Sequence, residues 1–185
     1  MVNVLTITSL YPNCEQTRHG VFVEERLRHL AATGRFNVQV VAPVPWFPFR
    51  GKAFGLYGRY ARVPRAEERQ GRTVLHPRYV TIPKVGMTAA PFLYAAALVP
   101  VVRRILAGLH GPVVLDGHFL YPDGVATGLL ARRFGLPYVM TARGQDVTLF
   151  PRHAVPRTLI RRACAGASRV ITVSAALREA LLGLG

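Results

Sequence analysis

The chain has 185 residues, a length that suits one domain and leaves little over for a second. Half of the residues are hydrophobic and 18% are charged, which provides for a sizeable core and excludes disorder as a reading of the whole. With 24 Lys and Arg against 9 Asp and Glu, the formal charge of +15 draws the protein toward nucleic acid, anionic membrane or phosphorylated ligands without choosing among them.

Residues 2–8 form an apolar, β-branched run that ends in Ser-Leu-Tyr-Pro-Asn, the pattern of a buried strand running into a loop. From Gly20 the apolar positions Val21, Phe22, Leu27, Leu30 and Ala31 recur at helical spacing, with Glu24 and Glu25 in the first turn and Gly34 beyond the end. Residues 36–42 are a second short apolar run, stopped by the prolines of residues 43–48. Residues 45–71 mix proline, glycine, aromatics and arginine with no sustained period and read as a long surface excursion. Residues 73–82 fit a strand or hairpin arm interrupted by Pro77, and residues 91–109 resume an apolar helical pattern ending in Arg103, Arg104 and Gly108. In the second half, strands at 113–117, 138–142 and 170–173 alternate with helices at 124–134, 156–165 and 175–182. Such alternation implies parallel βαβ units, hence an α/β fold with a doubly wound, mostly parallel, Rossmann-like sheet and helices on both faces.

Other classes fall away. Cys14 and Cys164 stand far apart with no metal-ligand spacing, which argues against a disulfide framework or a zinc site and favours a reducing, cytoplasmic setting. The first residues lack the positive segment and cleavage signature of a signal peptide. The apolar stretch 89–102 is too short to span a bilayer and carries Pro91 and Pro100. Only Lys52 and Lys84 are lysines, so the basic character is arginine, suited to bidentate phosphate contacts and equally a product of genome composition. The chain ends in Leu-Gly-Leu-Gly directly after a helix, which reads as a cut between domains.

In open α/β sheets ligands collect beyond the carboxyl ends of the strands. After the first strand comes the loop Ser9-Leu-Tyr-Pro-Asn-Cys-Glu-Gln-Thr-Arg-His-Gly20, whose glycine either lets amides at a helix terminus approach a phosphate or serves only the turn. The loop has neither the Walker lysine nor the full dinucleotide glycine spacing. Asp116-Gly117-His118 ends another strand. There His118 is either a satisfied structural histidine or a hydrogen-bonding partner for a sugar hydroxyl, and Asp123 caps the next helix. Thr141-Ala-Arg-Gly-Gln-Asp146 ends a third, where Arg143 offers a positive fork, Gly144 allows close backbone approach, and Asp146 orients the arginine or accepts from a hydroxyl; the alternative is a surface ion pair. Ser174 caps the last helix.

Taken in order, residues 5–12 with Gly20, Asp116-Gly117-His118, residues 138–146 and residues 168–174 resemble the amino-terminal half of family 4 glycosyltransferases of the GT-B fold, over nearly the whole chain. The resemblance implies that residues 1–185 are an acceptor-side Rossmann-like domain whose carboxyl-terminal, donor-holding partner lies outside this chain. It further implies sugar transfer with retention from a nucleotide-diphosphate sugar, a co-substrate beside which no cofactor and no metal is needed. Gly20 would approach the donor diphosphate, His118 would contact the transferred sugar, and Arg143, Gly144 and Asp146 would line the donor side of the cleft. Many relatives carry histidine where Arg143 stands. To the acceptor, a glycan or lipid-linked glycan, we assign Tyr11, Arg18 and Tyr121. The family's Glu-rich donor motif has no equivalent here, so the fragment alone should be inactive.

The helix from Phe92 rests either at an anionic membrane interface or on the sheet, and Trp46, Phe47, Phe49 and Arg50 offer the same pair of readings. Two other functions compete: a noncatalytic nucleotide- or carbohydrate-binding module of the same fold, and a nucleic-acid binder. The second has no helix-turn-helix, RNP or OB signature behind it, so no specific nucleic-acid partner is expected.

Overall fold

The computed structural model describes residues 1–81 and 86–185. Its strands are β1 (Val2–Ile7), β2 (Phe36–Val41), β3 (Val44–Pro45), β4 (Ala66–Arg69), β5 (Arg72–Leu75), β6 (Arg78–Tyr79), β7 (Val113–His118), β8 (Tyr138–Ala142) and β9 (Arg169–Thr172). Its α-helices are α1 (Val21–Ala32), α2 (Gly55–Arg62), α3 (Ala90–Ala107), α4 (Val125–Phe134), α5 (Gln145–Thr148), α6 (Ala154–Gly166) and α7 (Ala175–Leu182). Seven strands form one sheet in the order β4-β5-β2-β1-β7-β8-β9, and β3 pairs with β6 apart from it. All pairs in the large sheet are parallel except the β4–β5 hairpin. The doubly wound α/β reading is thus correct.

β1 sits at the centre because its sequence suits burial on both faces. Leu5 and Ile7 point into a core shared with Leu98 of α3, Leu115, Leu130, Met140 and Ile160 of α6. Val4 points to the other face, against Val23 and Leu27 of α1 and Val38, Val40 and Val74. From β1 the chain winds outward through α1 to β2 in one direction, then returns to β7 on the other side of β1 and proceeds to β8 and β9. The switch point therefore lies between β1 and β7, and a crevice opens beyond their carboxyl ends.

The stretch at 89–102, expected to be too short for a bilayer, belongs to a longer helix: α3 continues through Pro100 for 18 residues with a mean hydropathy of 1.5, long and apolar enough to cross a membrane by length and composition. In this fold Tyr94, Ala95, Leu98 and Val102, spaced by helical turns, are buried against the sheet side, which favours the packing reading of this helix.

Two sequence expectations change. Residues 45–71 are not an aperiodic excursion: they contain α2, whose buried Gly58 and Ala61 face inward, and β4, which pairs with β5 through the turn at Gln70 and Gly71. Their signals were hidden because an eight-residue helix shows barely two periods and β4, Ala-Glu-Glu-Arg, lies at a sheet edge where no apolar face is required. The arm expected at 73–82 is two short strands, β5 and β6, with Ile82 outside the described residues.

Candidate functional site

β1, β7 and β8 are adjacent and parallel, so their three following loops must meet at one edge. Two buried carboxylates bind these loops together. Asp123 accepts from the Ser9 amide (2.6 Å) and the Ser9 hydroxyl (2.9 Å), joining the β7 loop to the β1 loop. Asp146 accepts from the amides of Leu120 (2.7 Å), Arg143 (3.0 Å) and Gly144 (2.7 Å), joining the β8 loop to the β7 loop. Both side chains are wholly buried.

These bonds revise two sequence expectations. Asp123 does not cap α4, whose amino end has no side-chain cap, and Asp146 orients the backbone of Arg143 rather than its guanidinium. Ser174 does cap α7, accepting from Leu177 N at 3.2 Å. Burial pushes the Asp123 carboxyl up to about 7, an effect that the two Ser9 bonds partly offset.

His118 is fully buried at the end of β7. Arg143 Nη2 lies 2.7 Å from Nδ1 and Arg26 Nη1 2.9 Å from Nε2; a neutral ring accepts at one nitrogen only, and the ionised Asp116 carboxylate facing Nε2 puts the proton there, so Nδ1 accepts from Arg143 while Arg26 lies against Nε2 without donating to it. That proton goes to Asp116 Oδ2 at 2.9 Å, which also accepts from Thr6 Oγ1 at 3.3 Å. Burial, reinforced by the Arg26 and Arg143 charges, holds the imidazole below its ordinary pKa despite Asp116, so it is neutral. For Asp116, burial works upward, but the His118 bond, the His118 and Arg26 charges and the Thr6 bond outweigh it and keep the carboxyl ionised.

Arg26, absent from the sequence reading, completes the group. It projects from α1, donates to Thr141 Oγ1 at 3.0 Å, and lies 3.8 Å from Asp116 Oδ1. Phe22, one turn earlier, lies under the Arg143 guanidinium at 4.7 Å, a cation–π contact. An aromatic followed four residues later by an arginine, on the helix leaving the first loop, is the sequence signal that marks this face. Arg143 makes no ion pair among the described residues, and its buried Nε has no partner. The result is two guanidiniums at the switch point around one neutral imidazole.

The backbone here is unusual at two places. Phe119, directly after His118, holds φ at +80°, a strained value for a residue with a side chain. Gly20 holds φ at +70°, and a Cβ there would sit 2.3 Å from the Leu10 carbonyl, so glycine is needed for the β1 loop to close on α1. Gly20 is the residue before α1, with no side-chain cap over the helix's first amides.

The remaining assigned residues spread out. Gly144, at φ +144°, starts α5 beside Arg143. Arg18 is exposed on the β1 loop. Tyr11 lines a cavity of about 210 Å³ with Ser9, His19, Tyr60 and Tyr79, between that loop and the β3–α2 segment. Tyr121 is buried, its hydroxyl on the Met87 carbonyl and its ring in the core beside Phe150. Among the described residues no group of three or more His, Cys, Asp or Glu is placed to hold a metal ion.

The family model described as a glycosyl transferase 4-like domain matches residues 19–185. TuaC of Bacillus subtilis (strain 168), named as a teichuronic acid biosynthesis glycosyltransferase, is 30% identical over 182 residues, which cover 96% of this chain and 46% of TuaC. Sucrose-phosphate synthase (tll1590) from Thermosynechococcus elongatus shares the fold with a TM-score of 0.65 at 13% identity, over 99% of this chain and 44% of that one. The chain spans about half the length of these relatives. A match over nine-tenths of the sequence, on a doubly wound sheet with its polar cluster at the switch point, shows that this chain belongs to the glycosyl transferase 4-like family.

Proposed function

We propose that the chain is the acceptor-side domain of a retaining glycosyltransferase, which moves a sugar from a nucleotide-diphosphate sugar to a glycan or lipid-linked acceptor. The observation that carries this reading is the pair of guanidiniums, Arg26 and Arg143, placed around His118 at the switch point. Two planar forks beside the uncapped first turn of α1 suit a diphosphate, whose charge they would share with the α1 amides beyond Gly20. Arg143 also covers Nδ1 of His118. A donor anion drawing Arg143 outward would free that nitrogen to accept from a sugar hydroxyl, while Asp116 holds the tautomer in place. Donor binding and exposure of the imidazole are then one movement. The acceptor would enter along Tyr11 and Arg18. Retention, the need for a second lobe and a cytoplasmic setting follow the family resemblance; both cysteines are free, as a reducing compartment would leave them.

Titration calorimetry with UDP, GDP and inorganic pyrophosphate tests the anion site. Arg26→Ala and Arg143→Ala should each weaken binding about tenfold or more, the order expected for a lost charge-assisted bond of about 1.5–3 kcal/mol. Unchanged affinity in both variants would remove the basis for the reading. A second reading, a binding module without catalysis, is favoured by one observation: both ring nitrogens of His118 are already engaged. In the two-lobed protein, His118→Ala separates the two, since a reacting group loses turnover far beyond its loss of stability.

A further inference from the structure

The segment from Ala42 to Arg65 carries five cations, Arg50, Lys52, Arg59, Arg62 and Arg65, and no carboxylate. It also exposes an unusual amount of apolar surface. Trp46, Phe49, Phe54, Leu56 and Tyr57 are each 40–55% exposed. Phe47, Phe49, Phe54 and Tyr57 form one cluster, with ring centroids 5.1–5.9 Å apart. Beside it, Lys52, Leu56, Arg59 and Arg62 line an open cleft of about 360 Å³. Singly exposed apolar residues are ordinary, but a contiguous aromatic patch edged by cations of one sign marks an interaction surface.

We propose that this surface, the loop at residues 46–54 with α2, docks the protein on an anionic lipid bilayer. Aromatic rings with polar flanks favour the headgroup boundary, and Lys and Arg beside them add attraction to lipid phosphates. Nucleic acid fits the same charge less well. Base stacking along a strand needs several free ring faces, whereas Phe49 and Phe54 stack on each other at 18° and Phe47 packs edge-on against both, so that Trp46 alone stands outside the ring cluster among these exposed aromatics. The surface also borders the crevice. Arg62 is paired with Glu15 of the β1 loop at 2.6 Å, and Tyr60 of α2 lines the cavity that holds Tyr11. Docking through α2 would bring that cavity to the bilayer, within reach of a lipid-linked acceptor.

Partitioning onto vesicles tests this without any donor, so it can fail or succeed independently of the transferase reading. The purified protein is sedimented with vesicles of phosphatidylcholine alone and of phosphatidylcholine with phosphatidylglycerol. Wild type should bind the anionic vesicles and release them as salt rises. Lys52→Ala with Arg59→Ala should weaken binding roughly twenty-five-fold, at about fivefold per charge. Trp46→Ser with Phe49→Ser should weaken it comparably while leaving the salt dependence. Both pairs lie at exposed positions, and thermal unfolding matched to wild type is the control that the variants fold. Equal binding of wild type and both variants overturns the proposal. So does stronger retention on a short RNA duplex than on anionic vesicles at the same salt, and so does a self-associated species in sedimentation velocity that the Trp46 and Phe49 changes dissolve.

Discussion

Asp123 shows how one buried group can couple the crevice to pH. Its carboxyl sits at about 7 in the folded protein against an ordinary value of 3.8, because burial disfavours the charge. Between those values the folded chain holds a proton that the unfolded chain has released, so stability falls as pH rises from about 4 to 7 and is flat above. The span corresponds to ~4 kcal/mol at most. Asp123→Asn keeps an oxygen for the two Ser9 donors and cannot ionise, so thermal unfolding followed from pH 4 to 8 should lose this slope. A variant as pH-sensitive as the wild type would show that another group carries it. His118 works in the opposite sense. Its lowered pKa means that acid protonates the unfolded chain first, and stability is lost as pH falls below about 6.5.

Among the elements, α1 is tied to the sheet edge by one ion pair among the described residues. Glu24 is buried, and Arg69 of β4 donates to it at 2.9 Å with a side chain 21% exposed. The exposure difference makes the pair unequal. Arg69→Ala leaves a buried carboxylate alone and should cost about 3 kcal/mol, whereas Glu24→Ala leaves a guanidinium that can turn to water and should cost about 1 kcal/mol. Urea unfolding of both variants checks the order; equal costs would mean that α1 and β4 are held by packing instead. The same ion pair explains part of what the sequence concealed. Glu24 reads as a first-turn acid favoured by the helix dipole, and nothing in its spacing points to a strand 45 residues away.

At the scale of the whole molecule, the elements most legible in the sequence are those whose pattern is forced by burial. β1, β7 and β8 read as apolar runs because the sheet centre covers both their faces, and the strand-end rule then brought Gly20, His118 and Arg143 to one rim. Arg143 touches His118 at 2.7 Å, and Phe22, two residues past Gly20, touches Arg143. Arg26 was hidden because a charged residue on a helix looks solvated until the neighbouring loop is in place. Asp123 and Asp146 were visible as strand-end carboxylates, but their partners are backbone amides, which carry no mark in the sequence.

The register of the central strands has a consequence for how the chain is made. β1 pairs along one edge with β2, some 34 residues away, but along its other edge with β7, where Asn3 lies opposite Val113 and Ile7 opposite Gly117. A ribosome adding about 5–20 residues per second needs roughly 5–20 seconds to reach β7 after β1 emerges. Throughout that interval the most water-averse strand of the molecule is half unzipped. Synthesis arrested at residue 110 should give a polypeptide without a cooperative melting transition, because the second seam of its central strand has nothing to close on.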